Sequence, residues 1–326
     1  MYKVAILGYR VQGKSHHAPA FAKHPDCKIV AVCDMVEERA RDGADTYRVP
    51  FYLDADEMLD KEKIDIVDVP TSEKYRFELV MNCLRRGKHV FTEKPLAGEL
   101  RDPNVRPEHV AKARAMVDEW QKHDVAFGVC FGLHGDPNVR WAKQVIRNCE
   151  YGDLSTVLAR CAVGSWNHLI DLCRFLAGDV DEVSAYANEG WRSRVAAVKF
   201  ANGAVGTLVA CADLALQYQI KWIARRGEVQ IDDIGGTAWA RSSSSYEYKV
   251  FNGQGSIEQG GYPALFTHHI AEFVDSIKEH RPFDADGWAG LRHMEIDAAI
   301  SESILTGRPV KVDRYMPEKG RTIFSP

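Results

Sequence analysis

The chain has 326 residues, 45% of them hydrophobic and 27% charged, with a net charge of -4. That length supports two cores, the charge lacks the basic excess that a nucleic-acid surface needs, and no apolar run approaches the roughly 20 residues of a membrane span. Met1-Tyr2-Lys3 leads into a strand and not into a signal peptide. The eight cysteines are scattered, mostly within apolar segments, with no CxxC pair and no zinc-like cluster. They predict reduced, buried thiols in a cytoplasmic protein.

Residues 3–7 read as a buried strand, and Gly8-Tyr9-Arg10-Val11-Gln12-Gly13 turns from it into a helix near Lys14. In a dinucleotide turn the first glycine bends the chain, the second lets the backbone approach a pyrophosphate, and the third packs helix against strand. Gly8 and Gly13 fill the first and third places, while Arg10 fills the second, either as a cationic lid or as an obstruction. A second strand, 29–33, ends at Asp34, which lies 34 − 13 = 21 positions past Gly13. An acid there accepts a ribose 2′-hydroxyl and repels a 2′-phosphate, so NAD is expected before NADP. Arg39 and Arg41 follow on the next helix and leave NADP as the lesser option; capping a helix near Glu37 is the other use for Asp34.

A strand at 64–69 exits through Pro70-Thr71-Ser72, and the helix at 75–86 stops at Gly87. Val90 and Phe91 then form a short strand, with Glu93-Lys94-Pro95 at its carboxyl end. Open parallel sheets bind ligands at that edge, and a lysine placed there can exchange protons. Residues 101–107 read as a loop, 111–122 as a helix and 125–129 as the last strand of a first domain, 1–127. In 128–326, a helix capped by Asp136 or Asn138 precedes strands at 155–163, 180–186, 195–200, 204–211, 218–224 and 228–232. Asn202-Gly203 marks a hairpin, and Tyr218, Ile220 and Trp222 alternate with Gln219 and Lys221 as in a half-buried antiparallel sheet. Helices at 263–279 and 287–305 close the chain. The expected class is α/β: an N-terminal Rossmann doubly wound parallel sheet plus a C-terminal α+β domain with a broad, mostly antiparallel sheet.

Glu93-Lys94-Pro95, the Gly8 to Gly13 turn and the closing helix with Gly307-Arg308-Pro309-Val310 resemble the Gfo/Idh/MocA (glucose-fructose oxidoreductase and inositol dehydrogenase) family, over nearly the whole chain. The resemblance implies an NAD(P)-dependent oxidoreductase acting on a sugar, polyol or sugar derivative. Its cofactor would meet Gly8, Tyr9, Arg10, Val11, Gln12, Gly13, Asp34, Pro70, Thr71, Glu93 and Lys94, with Lys94 and His168 as the catalytic pair. His168 and Asp171 match the family's His-x-x-Asp, but Gly164 stands where an Asp four residues before the histidine is expected, and about two dozen pocket residues ahead of the helix are missing. Tyr75 stands near a position where the family often has His. The shortening keeps two other readings open: a catalytically reduced sensor or partner-binding subunit, and internal-redox chemistry with tightly held NAD. His168 could also be a helix-start histidine satisfied by backbone and Asp171. Arg160, Trp191, Arg192 and Tyr218 are candidates for the pocket wall, and the broad sheet implies a homodimer or homotetramer. His16-His17 and His268-His269 lack acid or cysteine partners at ligand spacing, so no metal is expected.

Overall fold

The computed structural model describes residues 1–100, 102–148, 151–244, 248–252, 262–316 and 324. The first sheet is parallel, in the order β3-β2-β1-β4-β5-β6. Its strands are β1 Tyr2–Leu7, β2 Cys27–Cys33, β3 Phe51–Tyr52, β4 Ile66–Val69, β5 His89–Thr92 and β6 Phe127–Val129. Every residue of β4 is buried, as expected where helices cover both faces of a sheet. Strand order reverses between β1 and β4, and such a switch point opens a crevice at the carboxyl ends. Gly8, Asp34, Pro70 and Glu93 each follow one of these strand ends.

A π-helical turn, Gly13–His17, continues into α1, Ala18–Lys23. Next come α2 Glu37–Tyr47, α3 Ala55–Lys61, α4 Glu73–Arg85 and α5 Pro107–Trp120. α5 starts four residues before the expected 111, because Pro107 occupies the first helical position, where a missing N–H costs nothing. The His109 ring also accepts the Arg106 N–H at 3.2 Å, capping that end.

The second half holds α6 Pro137–Arg147, β7 Leu154–Ala162, α7 Trp166–Ala177, β8 Val180–Ala187, β9 Ser193–Phe200 and β10 Val205–Cys211. β11 Tyr218–Ala224, β12 Gly227–Asp232, β13 Thr237–Ser242 and β14 Tyr248–Asn252 follow. Then come α8 Tyr262–Lys278, α9 Gly287–Thr306 and β15 Val310–Lys311. The sheet order is β14-β13-β12-β11-β7-β10-β9-β8-β15; β7 and β10 run parallel and the other pairs antiparallel. β13 was not apparent in the sequence because its inward residues, Ala238 and Ala240, are small and give little hydrophobic contrast.

Two cores result. α8 returns from the second half to the first: Phe266, Ile270, Phe273 and Val274 join the core of the parallel sheet, with Phe273 5.0 Å from Phe91 between ring centroids. Gly128 makes this possible, since a Cβ there would lie 2.6 Å from the Phe273 ring. α9 serves both cores, Leu291 and Met294 facing one and Ile296 and Ile300 the other. β6 thus runs across the boundary expected at Gly128. The seven described cysteines are free thiols, six of them buried; Cys149 lies outside the described residues. Among those residues no helix is long and apolar enough to cross a membrane.

Candidate active site

Gly8 leaves β1 at a φ of 117°, which glycine adopts without steric cost, and its N–H donates to the Cys33 carbonyl at 2.8 Å. A Cβ would sit 2.7 Å from Thr71 Cγ2 on Gly8, and 2.2 Å from the Gly8 carbonyl oxygen on Gly13. Both glycines are therefore required by close approach, and the helix that follows, starting at Val11, turns its N-terminal N–H groups toward the crevice. Arg10 and Val11 are exposed at the rim. The Tyr9 ring is buried against Tyr47 at 6.4 Å, so this residue contributes its backbone to the turn: its N–H donates to Asp34 Oδ2 at 2.8 Å.

Asp34 Oδ1 accepts the Val36 N–H at 2.9 Å. Val36, not Asp34, caps α2. Arg39 Nη1 stays 3.8 Å from the same carboxylate. A dinucleotide fits this donor set: the glycine turn supplies N–H groups, Asp34 supplies a fixed acceptor, and two nearby polar atoms, Gln12 Oε1 and Thr71 Oγ1, are buried without a hydrogen-bond partner among the described residues.

The turn after β5 is held from beneath. His17, fully buried, bonds Asp68 Oδ1 through Nδ1 at 2.8 Å and Glu93 Oε1 through Nε2 at 3.1 Å. Burial alone would lower the His17 value, but Asp68 outweighs it and raises the imidazole well above its ordinary range. For Glu93, burial works upward, and Lys94, His17 and Arg76 overcome it and hold the carboxyl well below the usual carboxylate range. His17 is thus an imidazolium between two carboxylates, which lets those charges stay buried. Glu93 Oε2 lies 3.8 Å from Lys94 Nζ, a side chain about 20% exposed. Arg76 donates to the carbonyls of Pro95 and Thr71, joining this turn to the Pro70-Thr71 turn; the Lys94–Pro95 peptide is cis.

His168 lies in the first turn of α7. Its ring meets Phe131 edge-on at 6.4 Å, and its Nδ1 has no partner among the described residues. Burial, then the charge of Lys94, lowers its value to about 3, so at neutral pH the ring is an uncharged acceptor. Asp171 does not satisfy it. That carboxylate bonds His134 Nε2 at 2.6 Å and Arg174 at 3.3 Å, and these two neighbours overcome burial to hold it at about 2.

Three residues came to light only in three dimensions: Arg76, His134 and His293. His293 on α9 is fully buried, lies 5.5 Å from the Phe131 ring, and has no partner for either ring nitrogen among the described residues. The expected wall residues are dispersed. Tyr218 is buried and donates its hydroxyl to Asp136 Oδ2 at 2.8 Å, Arg160 bonds Gln219 on the exposed face, Arg192 pairs with Asp213 at the surface, and Trp191 lies 5.8 Å from the Arg194 guanidinium. Tyr75 is half exposed.

Among the described residues His17, Glu93 and Cys130 bring ligand-type atoms within 4.8 Å of one another. Both His17 ring nitrogens are already engaged there, by Asp68 and by Glu93. His16 instead stacks on Phe266 at 4.5 Å, His269 Nε2 bonds the Val129 carbonyl at 3.1 Å, and His268 lines a surface cavity.

The sequence model of the Gfo/Idh/MocA family, described as an oxidoreductase family with an NAD-binding Rossmann fold, matches residues 2–131. The chain is 22% identical to the myo-inositol 2-dehydrogenase of Thermotoga maritima, covering 96% of this chain and 99% of that one. It is 25% identical to the D-apiose dehydrogenase of Paraburkholderia graminis, over 78% and 71% of the two chains. Its fold matches that of a levoglucosan dehydrogenase solved with NADH and levoglucosan, with a TM-score of 0.84, 19% identity, and coverage of 96% of this chain and 100% of that one.

Proposed function

We propose that the chain is an oxidoreductase of the Gfo/Idh/MocA kind and that it moves a hydride between a nicotinamide cofactor, NAD in preference to NADP, and the hydroxyl-bearing carbon of a sugar, polyol or sugar derivative. The observation that carries this reading is the gathering of the glycine turn, Asp34 and Glu93-Lys94-Pro95 at one sheet edge, with a neutral His168 electrostatically coupled to Lys94.

Gly8 to Gly13 would hold the pyrophosphate, Asp34 the adenosine ribose, and Pro70, Thr71 and Glu93 the nicotinamide half. When bound, a nicotinamide held there would supply the acceptor for a hydride from the carbinol carbon. The chain's own task is to place the substrate hydroxyl and remove its proton. Lys94, steadied by the fixed charge of Glu93, positions the hydroxyl oxygen. His168 offers its free Nδ1 to the hydroxyl proton, and its low value means that it passes the proton on to solvent. Glu93 orients and does not exchange protons, because His17 and Lys94 keep it ionised.

In this proposal residues 1–127 bind the dinucleotide, and residues 128–326 bind the substrate and form a homodimer or homotetramer through the broad sheet, in the cytoplasm; the free thiols are in keeping with that compartment. Gly164, without a carboxylate four residues before His168, favours a second reading in which the site binds dinucleotide or sugar as a sensor. Lys94→Ala separates the two. For an enzyme it lowers kcat by roughly 10²–10⁴-fold while NAD affinity in calorimetric titration stays within about twofold. Undiminished turnover in the variant removes Lys94 from the chemistry. A wild-type protein that binds NAD but forms no NADH over a sugar and polyol panel supports the sensor.

A further inference from the structure

The helix that leaves the glycine turn is not regular. Over Gly13–His17 it widens to π geometry, and the Ala18 N–H reaches back five residues to the Gly13 carbonyl. Widened turns of this kind recur at functional sites. Gly13, where the turn starts, lies against Pro70, since a Cβ there would fall 3.1 Å from Pro70 Cγ. His17, where it ends, bonds Glu93 at 3.1 Å. The turn therefore spans the gap between the Pro70-Thr71 turn and the Glu93-Lys94 turn, which flank the nicotinamide half of the proposed cofactor site.

His17 is fully engaged beneath that gap, and His16 is not. The His16 ring is partly exposed, and its Nδ1 is buried without a hydrogen-bond partner among the described residues. Its orientation is fixed all the same: it stacks on Phe266 at 4.5 Å with 10° between the planes, and Tyr262 meets it edge-on at 5.7 Å. Burial, then the charge of His17, lowers its value, while Glu93 acts upward. The ring is therefore uncharged at neutral pH and carries one N–H donor and one acceptor nitrogen. Gln12 Oε1, one turn earlier, and Thr71 Oγ1, in the turn packed against Gly8, are orphaned in the same way. Three polar atoms left over along one short turn call for a polar ligand. A carboxamide offers the complementary pair, an amide donor and a carbonyl acceptor, so either tautomer of the ring can meet it. We propose that His16 is a cofactor-binding residue that hydrogen-bonds the carboxamide of the nicotinamide ring and so fixes the rotation of that ring about its ribose bond. The inference rests on the nucleotide reading of the site. Its value to the reaction is orientation: a nicotinamide joined to its ribose by a single bond presents either face unless something holds its substituent, and hydride transfer uses one face only.

The test compares ligands that differ at that end alone. Calorimetric titration of the full chain with NAD and with ADP-ribose, which lacks the nicotinamide, gives an affinity ratio for the wild type. In His16→Leu the ratio is expected to fall by about fivefold or more, the worth of roughly one hydrogen bond to a buried group. His16→Asn, whose amide keeps a donor and an acceptor, should recover part of that loss. Acetylpyridine adenine dinucleotide retains the carbonyl and lacks the amide hydrogens: a loss in His16→Leu equal to that for NAD assigns the contact to the carbonyl, and a smaller one assigns it to the amide. A packing defect weakens both nucleotides together and leaves the ratio unmoved, with circular dichroism confirming the fold. An unchanged ratio in folded His16→Leu overturns the assignment while the nucleotide site stands; a wild type that binds neither NAD nor ADP-ribose overturns the nucleotide site and the assignment with it.

Discussion

Asp34 is oriented before any nucleotide arrives, because two backbone N–H groups, from Tyr9 and Val36, hold its two oxygens. An acceptor so fixed suits a ribose hydroxyl and repels a phosphate. Asp34→Ser is expected to weaken NAD by roughly tenfold or more, the worth of about one charge-assisted bond, and to shift preference toward NADP; calorimetric titration with both nucleotides reads the ratio, and an unchanged ratio removes Asp34 from the ribose contact. His17 governs stability instead. His17→Ala leaves Asp68 and Glu93 buried without their shared cation and should destabilise by about 3–5 kcal/mol near pH 7 in urea unfolding. The raised His17 value makes its contribution full below its ordinary 6.5 and lost as pH rises through the folded value. The lowered Glu93 value makes its contribution present above its ordinary 4.5 and lost as pH falls through the folded value. The wild-type advantage should therefore be largest between about pH 4.5 and 6.5 and shrink both in stronger acid and as pH rises toward the folded His17 value. Gly8, Gly13, Asp34, Glu93 and Lys94 were legible because one turn or one strand-to-helix unit sets their spacing. His293 was not, since what marks it is an unsatisfied ring packed beside Phe131, 162 positions earlier in the chain.

At the scale of elements, α7 concentrates the departure from the pattern that the resemblance implies. β7 ends at Ala162 and α7 begins at Trp166, with a single short turn between them. Gly164 in that turn is exposed, and a Cβ added there meets nothing within 4 Å. Crowding thus does not account for the missing carboxylate. Gly164→Asp should leave stability within about 0.5 kcal/mol. If position 164 faces the site, the new negative charge raises the His168 value, because an opposite charge favours the imidazolium. The wild-type profile of kcat/KM against pH should show no limb from His168 above its value of about 3, and the variant's acid limb should move upward; an unmoved limb shows that residue 164 does not look into the site. Most of the longer helices, and the inner strands other than β13, were readable from their periodicity. β3, two residues long, and β15, also two, carry too little pattern to be read without the neighbours they pair with.

At the scale of the whole molecule, the larger sheet carries exposed apolar side chains on one face among the described residues. β7, β10 and β9 lie side by side near its centre, and their outward residues include Leu158 at 44% and Val205 at 53% exposure, with Val195 also exposed. Such a stripe at the middle of a sheet is the part that the proposed oligomer would cover. Light scattering at micromolar concentration should give at least twice the chain mass of 36.6 kDa, and Leu158→Asp should shift it toward one; a monomeric wild type overturns the proposed assembly. The two sheets were legible from strand spacing, but the sharing of α8 and α9 between cores was not, because an amphipathic helix records that it has an apolar face and not which sheet receives it. The seating of α8 has a consequence for how the protein comes into being. The first core lacks Phe266, Ile270, Phe273 and Val274 until the ribosome has passed all four positions, well after the parallel strands have been made. The nascent nucleotide half therefore emerges with an open apolar flank, a waiting period in which chaperones have a surface to hold and a truncated product has nothing to hide it.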